Sequence, residues 1–137
     1  MNASEELECL TQSLALAAEQ AGDITPAVFD NFFTRSEQGR ALMSHSDEHM
    51  RGRMMTSVYE LLMTDDHFGP GGYLEWELDN HIDAYAATPD MYDDFFAALA
   101  DVVEQAVVAS GGRQQWASYA PAWQARIERI MHQVHAH

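Results

Sequence analysis

Lysine is absent from this chain, and arginine supplies all seven of its fixed side-chain cations. Against them stand 22 acidic residues, for a formal charge of −15. Neutralising phosphates takes clustered Lys and Arg, so nucleic acid and anionic membrane surfaces are excluded as partners. The acidity reads as a solvated surface that aids solubility or suits a salty cytoplasm. Cysteine is nearly missing too. A lone Cys9 rules out an internal disulfide and reads as a packed residue of the first helix. No apolar run approaches the roughly 20 residues that span a bilayer. The opening Met1-Asn-Ala-Ser-Glu-Glu lacks the basic-then-apolar pattern of a secretory signal, so the expected location is the cytoplasm.

Strand signals are equally scarce, because no segment alternates with β-branched residues, whereas helical spacing recurs throughout. At 137 residues the chain is long enough for one domain with a sizeable core, and no linker or internal repeat divides it. Leu7, Leu10, Leu14, Ala17 and Ala18 stripe a first helix that ends near Gly22. Thr25-Pro26 supplies a capping residue followed by proline at the first helical position, then Val28, Phe29, Phe32 and Phe33. A turn over residues 36–39 breaks that helix. Ser46-Asp47 caps another, with Met50, Met54, Ser57, Val58, Leu61 and Leu62 on its inward side. Asp65-Asp66-His67-Phe68-Gly69-Pro70-Gly71-Gly72 is a loop.

The next stretch carries the chemistry. Tyr73-Leu-Glu-Trp-Glu-Leu-Asp-Asn-His81-Ile-Asp-Ala-Tyr85 reads as a short helix that delivers one histidine. Thr88-Pro89 then opens a long helix with Tyr92, Phe95, Phe96, Leu99, Val102, Val103 and Ala106 inward, stopped by Gly111-Gly112. The last helix holds Trp116, Tyr119, Ala120, Trp123, Ile127, Ile130, Met131 and Val134. The sum is an all-α domain, residues 1–137, of about seven helices. Leu74, Leu78, Ile82 and Tyr85 flank His81 at inward spacings, which suits a buried imidazole able to ligate a metal. The alternative is a surface or hydrogen-bonded histidine between Asp79 and Asp83. Glu75, Glu77, Asp79 and Asp83 scatter around this helix and read as solvated rather than as a catalytic pair.

The order of these pieces resembles the globin family, most closely bacterial single-domain haemoglobins and the globin domain of flavohaemoglobins. The matching elements are Phe29-x-x-x-Phe33, His81, Pro89-x-x-Tyr92 and Ala122-Trp123, over residues 7 to 134. The resemblance implies a globin-like fold and a haem b cofactor with His81 as the iron ligand. It places Phe29, Phe33, Met43, Arg53, Met54, Ser57, Leu78, Tyr85 and Tyr92 around the haem. Phe29 falls where bacterial relatives often carry a Tyr that hydrogen-bonds oxygen. Arg53 falls at or beside the distal gate, where it donates to a polarised ligand or reaches solvent or a propionate. Met43 stands where the family has a Phe stacked on the haem, and a polarisable thioether can take that place.

The activity so implied is reversible binding of oxygen or another diatomic gas, for carriage, sensing or nitric-oxide detoxification. Detoxification calls for an external reductase, since no flavin or nicotinamide domain is evident here. Met43 at the Phe position supports a second expectation, a haem-free globin-like sensor or interaction module with a signalling partner. A third expectation is an unrelated helical bundle whose likeness to globins is accidental. A globin-like protein of either kind is expected as a monomer or homodimer. His45-x-x-x-His49 and His132-x-x-His135-x-His137 have metal-ligand spacings but lack further ligands, and a hemerythrin-like di-iron bundle lacks the required histidine pairs. Phosphate loops, Cys-x-x-Cys pairs and nucleophile elbows are absent.

Overall fold

The computed structural model describes residues 1–64, 71–84 and 87–137. Residues 65–70 of the expected 65–72 loop and the expected haem contact Tyr85 lie outside the described residues. Seven α-helices and no strand occur among those described. They are α1 (Ala3–Ala21), α2 (Thr25–Arg35), α3 (Glu37–Leu42), α4 (Glu48–Met63), α5 (Tyr73–Leu78), α6 (Pro89–Gly111) and α7 (Arg113–Ala136). A π-helical turn, Asp79–Ala84, continues α5.

Local chemistry sets most of the helix starts. Side-chain oxygens of Asn2, Ser36 and Asp47 accept from the backbone N–H groups of Glu5, Gly39 and Met50 at 2.8, 2.9 and 2.8 Å. Thr88 accepts from Met91 N at 3.3 Å. Each such cap is worth about 1 kcal/mol. Thr25 departs from its expected role: it is the first residue of α2, and the Asp23 carboxylate accepts its N–H at 3.0 Å. The expected turn over residues 36–39 is also tighter than foreseen. Ser36 ends α2 and caps α3 at once, and Gly39 sits inside α3 under the Phe32 ring. Between α6 and α7 the chain reverses through Gly112 at φ +86°, a left-handed conformation that glycine adopts without Cβ strain.

Helix α6 packs against α1, α2 and α7, which makes it the middle of the domain. Its buried Phe95, Phe96, Leu99, Val102, Val103 and Ala106 recur at spacings of three and four, as the sequence predicts. They meet Leu10 and Ala17 of α1, Val28, Phe29 and Phe32 of α2, and Trp123 and Ile130 of α7 in one core. The phenylalanines of α2 and α6 meet edge to face, with Phe95 5.4 Å from both Phe29 and Phe32. Polar links also cross the core between α1 and α7. The Trp123 indole N–H donates to Ser13 Oγ at 2.9 Å, and Arg126 Nε donates to Glu6 Oε1 at 2.7 Å.

Helix α4 rests on α1 and α2. Its inward face is rotated from the expected one. Met55, Leu61 and Leu62 are buried, Met54 is half-buried, and Met50 is 43% exposed. Methionines at 50, 54 and 55 allow two adjacent stripes, and contact with α1 and α2 selects the one through Met55. No described helix is long and apolar enough to cross a membrane.

Candidate functional site

Leu74 and Leu78 are buried and anchor α5 to the core. That leaves Tyr73 and Glu77, one turn apart, on a common side of the helix, and His81 follows another four residues on. The Tyr73 hydroxyl donates to Glu77 Oε1 at 2.8 Å. Nδ1 of His81 lies 2.9 Å from Glu77 Oε2 and 3.0 Å from the Glu77 carbonyl oxygen. Both Glu77 atoms can only accept, so the Nδ1 position carries the proton. In the neutral ring the lone pair is then on Nε2. His81 sits on the π turn, and its own carbonyl accepts from Ala87 N at 2.9 Å.

The electrostatics follow from these contacts. Burial alone would raise the Glu77 carboxyl, but hydrogen bonds from His81 and Tyr73 outweigh it and hold the group below its ordinary range. The bond to Glu77 raises the His81 imidazole above its ordinary value against the opposing pull of burial. Burial raises the Tyr73 hydroxyl, which also meets the Ser57 hydroxyl from α4. Tyr92, at the start of α6, is raised strongly by burial and by the negative charge on Glu77. Ser57, Tyr73, Glu77 and His81 therefore form one polar chain from α4 to the π turn, and Tyr92 of α6 lies close enough to feel the charge on Glu77.

Other expected site residues fall elsewhere. Phe29 has no exposed surface and packs against Phe33 at 6.0 Å as well as Phe95. The guanidinium of Arg51 covers both rings of the α2 pair, 5.5 Å from the Phe29 centroid and 5.0 Å from that of Phe33. Arg51 Nε also donates to Ser46 Oγ at 2.9 Å. Arg53, the expected gate residue, is exposed, because a two-residue step turns its side chain about 160° around the helix from Arg51. Met43 ends α3 and is half-buried, like Phe33, Met54 and Tyr92, while Leu78 is fully buried.

Glu77 was expected to be solvated and is instead 18% exposed and bound to His81. The i, i+4, i+8 spacing of Tyr73, Glu77 and His81 was the signal available for it. Among the described residues no three His, Cys, Asp or Glu side chains converge as a metal site. His135 and His137 instead face Asp93 and Asp79 at 2.7 and 3.5 Å. One hollow of about 230 Å³ lies between Leu14, Ala18, Ile24, Tyr59 and Met63. Burial and the nearby Asp23 push the Tyr59 hydroxyl on its wall up to about 12. An open groove of about 600 Å³ runs along α7 past Glu128, Arg129 and His132. Neither borders His81. Compared with protein-family models, curated proteins and solved structures, the chain matches none.

Proposed function

We propose that this chain is a globin-like haem protein in which His81 ligates the iron and a diatomic gas binds reversibly. The single observation that carries the reading is the pair of acceptors on His81 Nδ1. A ligating histidine characteristically donates its second ring N–H to a carboxylate or backbone carbonyl, which fixes the ring and raises its basicity. Glu77 supplies both acceptors, and Tyr73 steadies its carboxylate from the other oxygen. One oriented imidazole, with buried Leu78 and half-buried Ile82 nearby, suits haem b in donor chemistry. The His81 ring is 32% exposed rather than buried as expected, and neither hollow borders it, so the fit rests on the donor set alone.

Haem iron held by one histidine supplies an open coordination position for oxygen or nitric oxide. The protein's own part is to keep the His81 proton on Nδ1 and to hold the ring. Reversible gas binding needs no electron donor, whereas nitric-oxide turnover would draw electrons from a separate reductase. The test is a haem titration of the purified apoprotein followed in the visible spectrum. A Soret band is expected at one equivalent, lost in His81→Gly and restored by free imidazole. A band of equal strength in His81→Gly without imidazole would overturn the assignment.

One observation favours a second reading, a haem-free interaction module. The Tyr73 hydroxyl meets both Ser57 on α4 and Glu77 on α5, tying together the two helices that would flank a porphyrin. No Soret band with excess haem in the parent protein would count against haem and favour that reading.

A further inference from the structure

Trp76 is 58% exposed, the largest apolar side chain left on the surface of the described residues. It stacks on Tyr73 with ring centroids 5.8 Å apart at 27°, which fixes its orientation and leaves area open outward. Among the described residues, the side chains that flank Trp76 on its own stretch of chain are acidic. Glu75 precedes Trp76 on α5 and Asp79 opens the π turn that follows, with Asp79 58% exposed. Asp93 lies across the α7 terminus, since His135 contacts it while His137 contacts Asp79. Between Met54 and Gly112 the sequence contains no arginine or lysine at all. A fixed aromatic plane set among carboxylates is the complement of a guanidinium or ammonium group. Tryptophan offers the strongest cation–π face, and rim carboxylates steer and align a positive partner.

We propose that the face of α5 around Trp76 docks a protein partner through an Arg- or Lys-rich patch. One cation of the partner lies over the Trp76 ring, and neighbouring cations pair with Asp79 and Glu75. Asp79 meets His137 at 3.5 Å, and Glu75 accepts from Gly71 N at 2.8 Å. Tryptophan and arginine are also the residues most enriched at the energetic centres of protein interfaces. This docking stands apart from the haem assignment, so its failure would leave the Soret result untouched, and the reverse holds too.

The test uses the full chain and a nona-arginine peptide, titrated calorimetrically at about 20 mM and about 200 mM salt. Trp76→Ala is expected to weaken binding about three- to tenfold at either salt, and Trp76→Phe by less. Glu75→Gln with Asp79→Asn should weaken it mainly at low salt. A control pair on exposed α3 and α4 positions, Glu37→Gln with Glu48→Gln, should leave affinity within about twofold of the parent. Equal binding by the Trp76→Ala protein, or an equal loss in the control pair, would overturn the proposal. So would sedimentation showing that Trp76 instead holds two copies of this chain together.

Discussion

Nε of Arg126, a side chain with no exposed surface, lies 2.7 Å from Oε1 of Glu6 across the α1–α7 interface. Arg129 approaches the same oxygen at 3.5 Å from the solvent side. A guanidinium buried this deeply tolerates the interior because a carboxylate answers it. Removing one partner of such a pair costs about 3–5 kcal/mol, whereas replacing both by apolar groups is often neutral. Glu6→Ala should therefore lower the urea midpoint sharply. Glu6→Leu with Arg126→Met should recover most of the loss. Equal midpoints for Glu6→Ala and the parent would show that the pair is not closed in solution.

Gly39 makes a second, steric prediction. A Cβ at this position would run into the Phe32 ring and come within 2.9 Å of Ser36 Oγ, the atom that caps α3. Phe32 cannot yield easily, because Phe33 and Phe95 brace it at 5.7 and 5.4 Å. Gly39→Ala ordinarily favours a helix, yet here overpacking should dominate and cost about 1–3 kcal/mol. Thermal unfolding measures the sign directly: a raised melting temperature would mean that the ring moves aside.

The outline of the fold was legible because it depends on neighbours in sequence. Thr88 with Pro89, Asp47 and Gly112 mark their helix ends by local chemistry alone, and the α6 stripe needs only its own spacing. What was not legible depends on partners far along the chain. Glu6 lies in a polar opening segment and reads as solvated; only Arg126, 120 positions away, makes it a buried acid. Met54 and Met55 are equally apolar, and the approach of α1 and α2 decides between them. At the candidate site, apolar neighbours and the globin resemblance point to His81, and the structure shows it hydrogen-bonded to Glu77 and 32% exposed. Glu77 was set aside because one acid among four on a short helix carries no mark of its partner. Its spacing from Tyr73 and His81 was visible, but the burial that gives that spacing meaning was not.

The two arginines of α4 give a comparison that separates position from residue type. Arg51 covers the Phe29 and Phe33 rings and donates to Ser46, while Arg53 faces outward. Cation–π contact at a partly exposed site is worth about 0.5–1 kcal/mol, and the Ser46 bond adds a similar amount. Arg51→Ala should lose about 1–2 kcal/mol of stability. Arg53→Ala should stay within about 0.5 kcal/mol of the parent. Parallel urea melts check both, and equal losses would contradict the distinction.

The His81–Glu77 pair leaves a signature in the pH dependence of the haem-free protein. His81 is raised above its ordinary 6.5 by Glu77, so its folded form binds a proton that the unfolded chain releases earlier. Its contribution is complete below pH 6.5 and is lost as the pH rises through the raised value. Glu77 is lowered from 4.5, so its contribution is complete above that pH and is lost as the pH falls through the lowered value. Stability from the pair is therefore largest between 4.5 and 6.5 and declines on both sides. Glu77→Gln removes the carboxylate that raises His81, and should flatten the alkaline decline seen in urea melts from pH 6 to 9. An unchanged decline in that variant would show that another group titrates there.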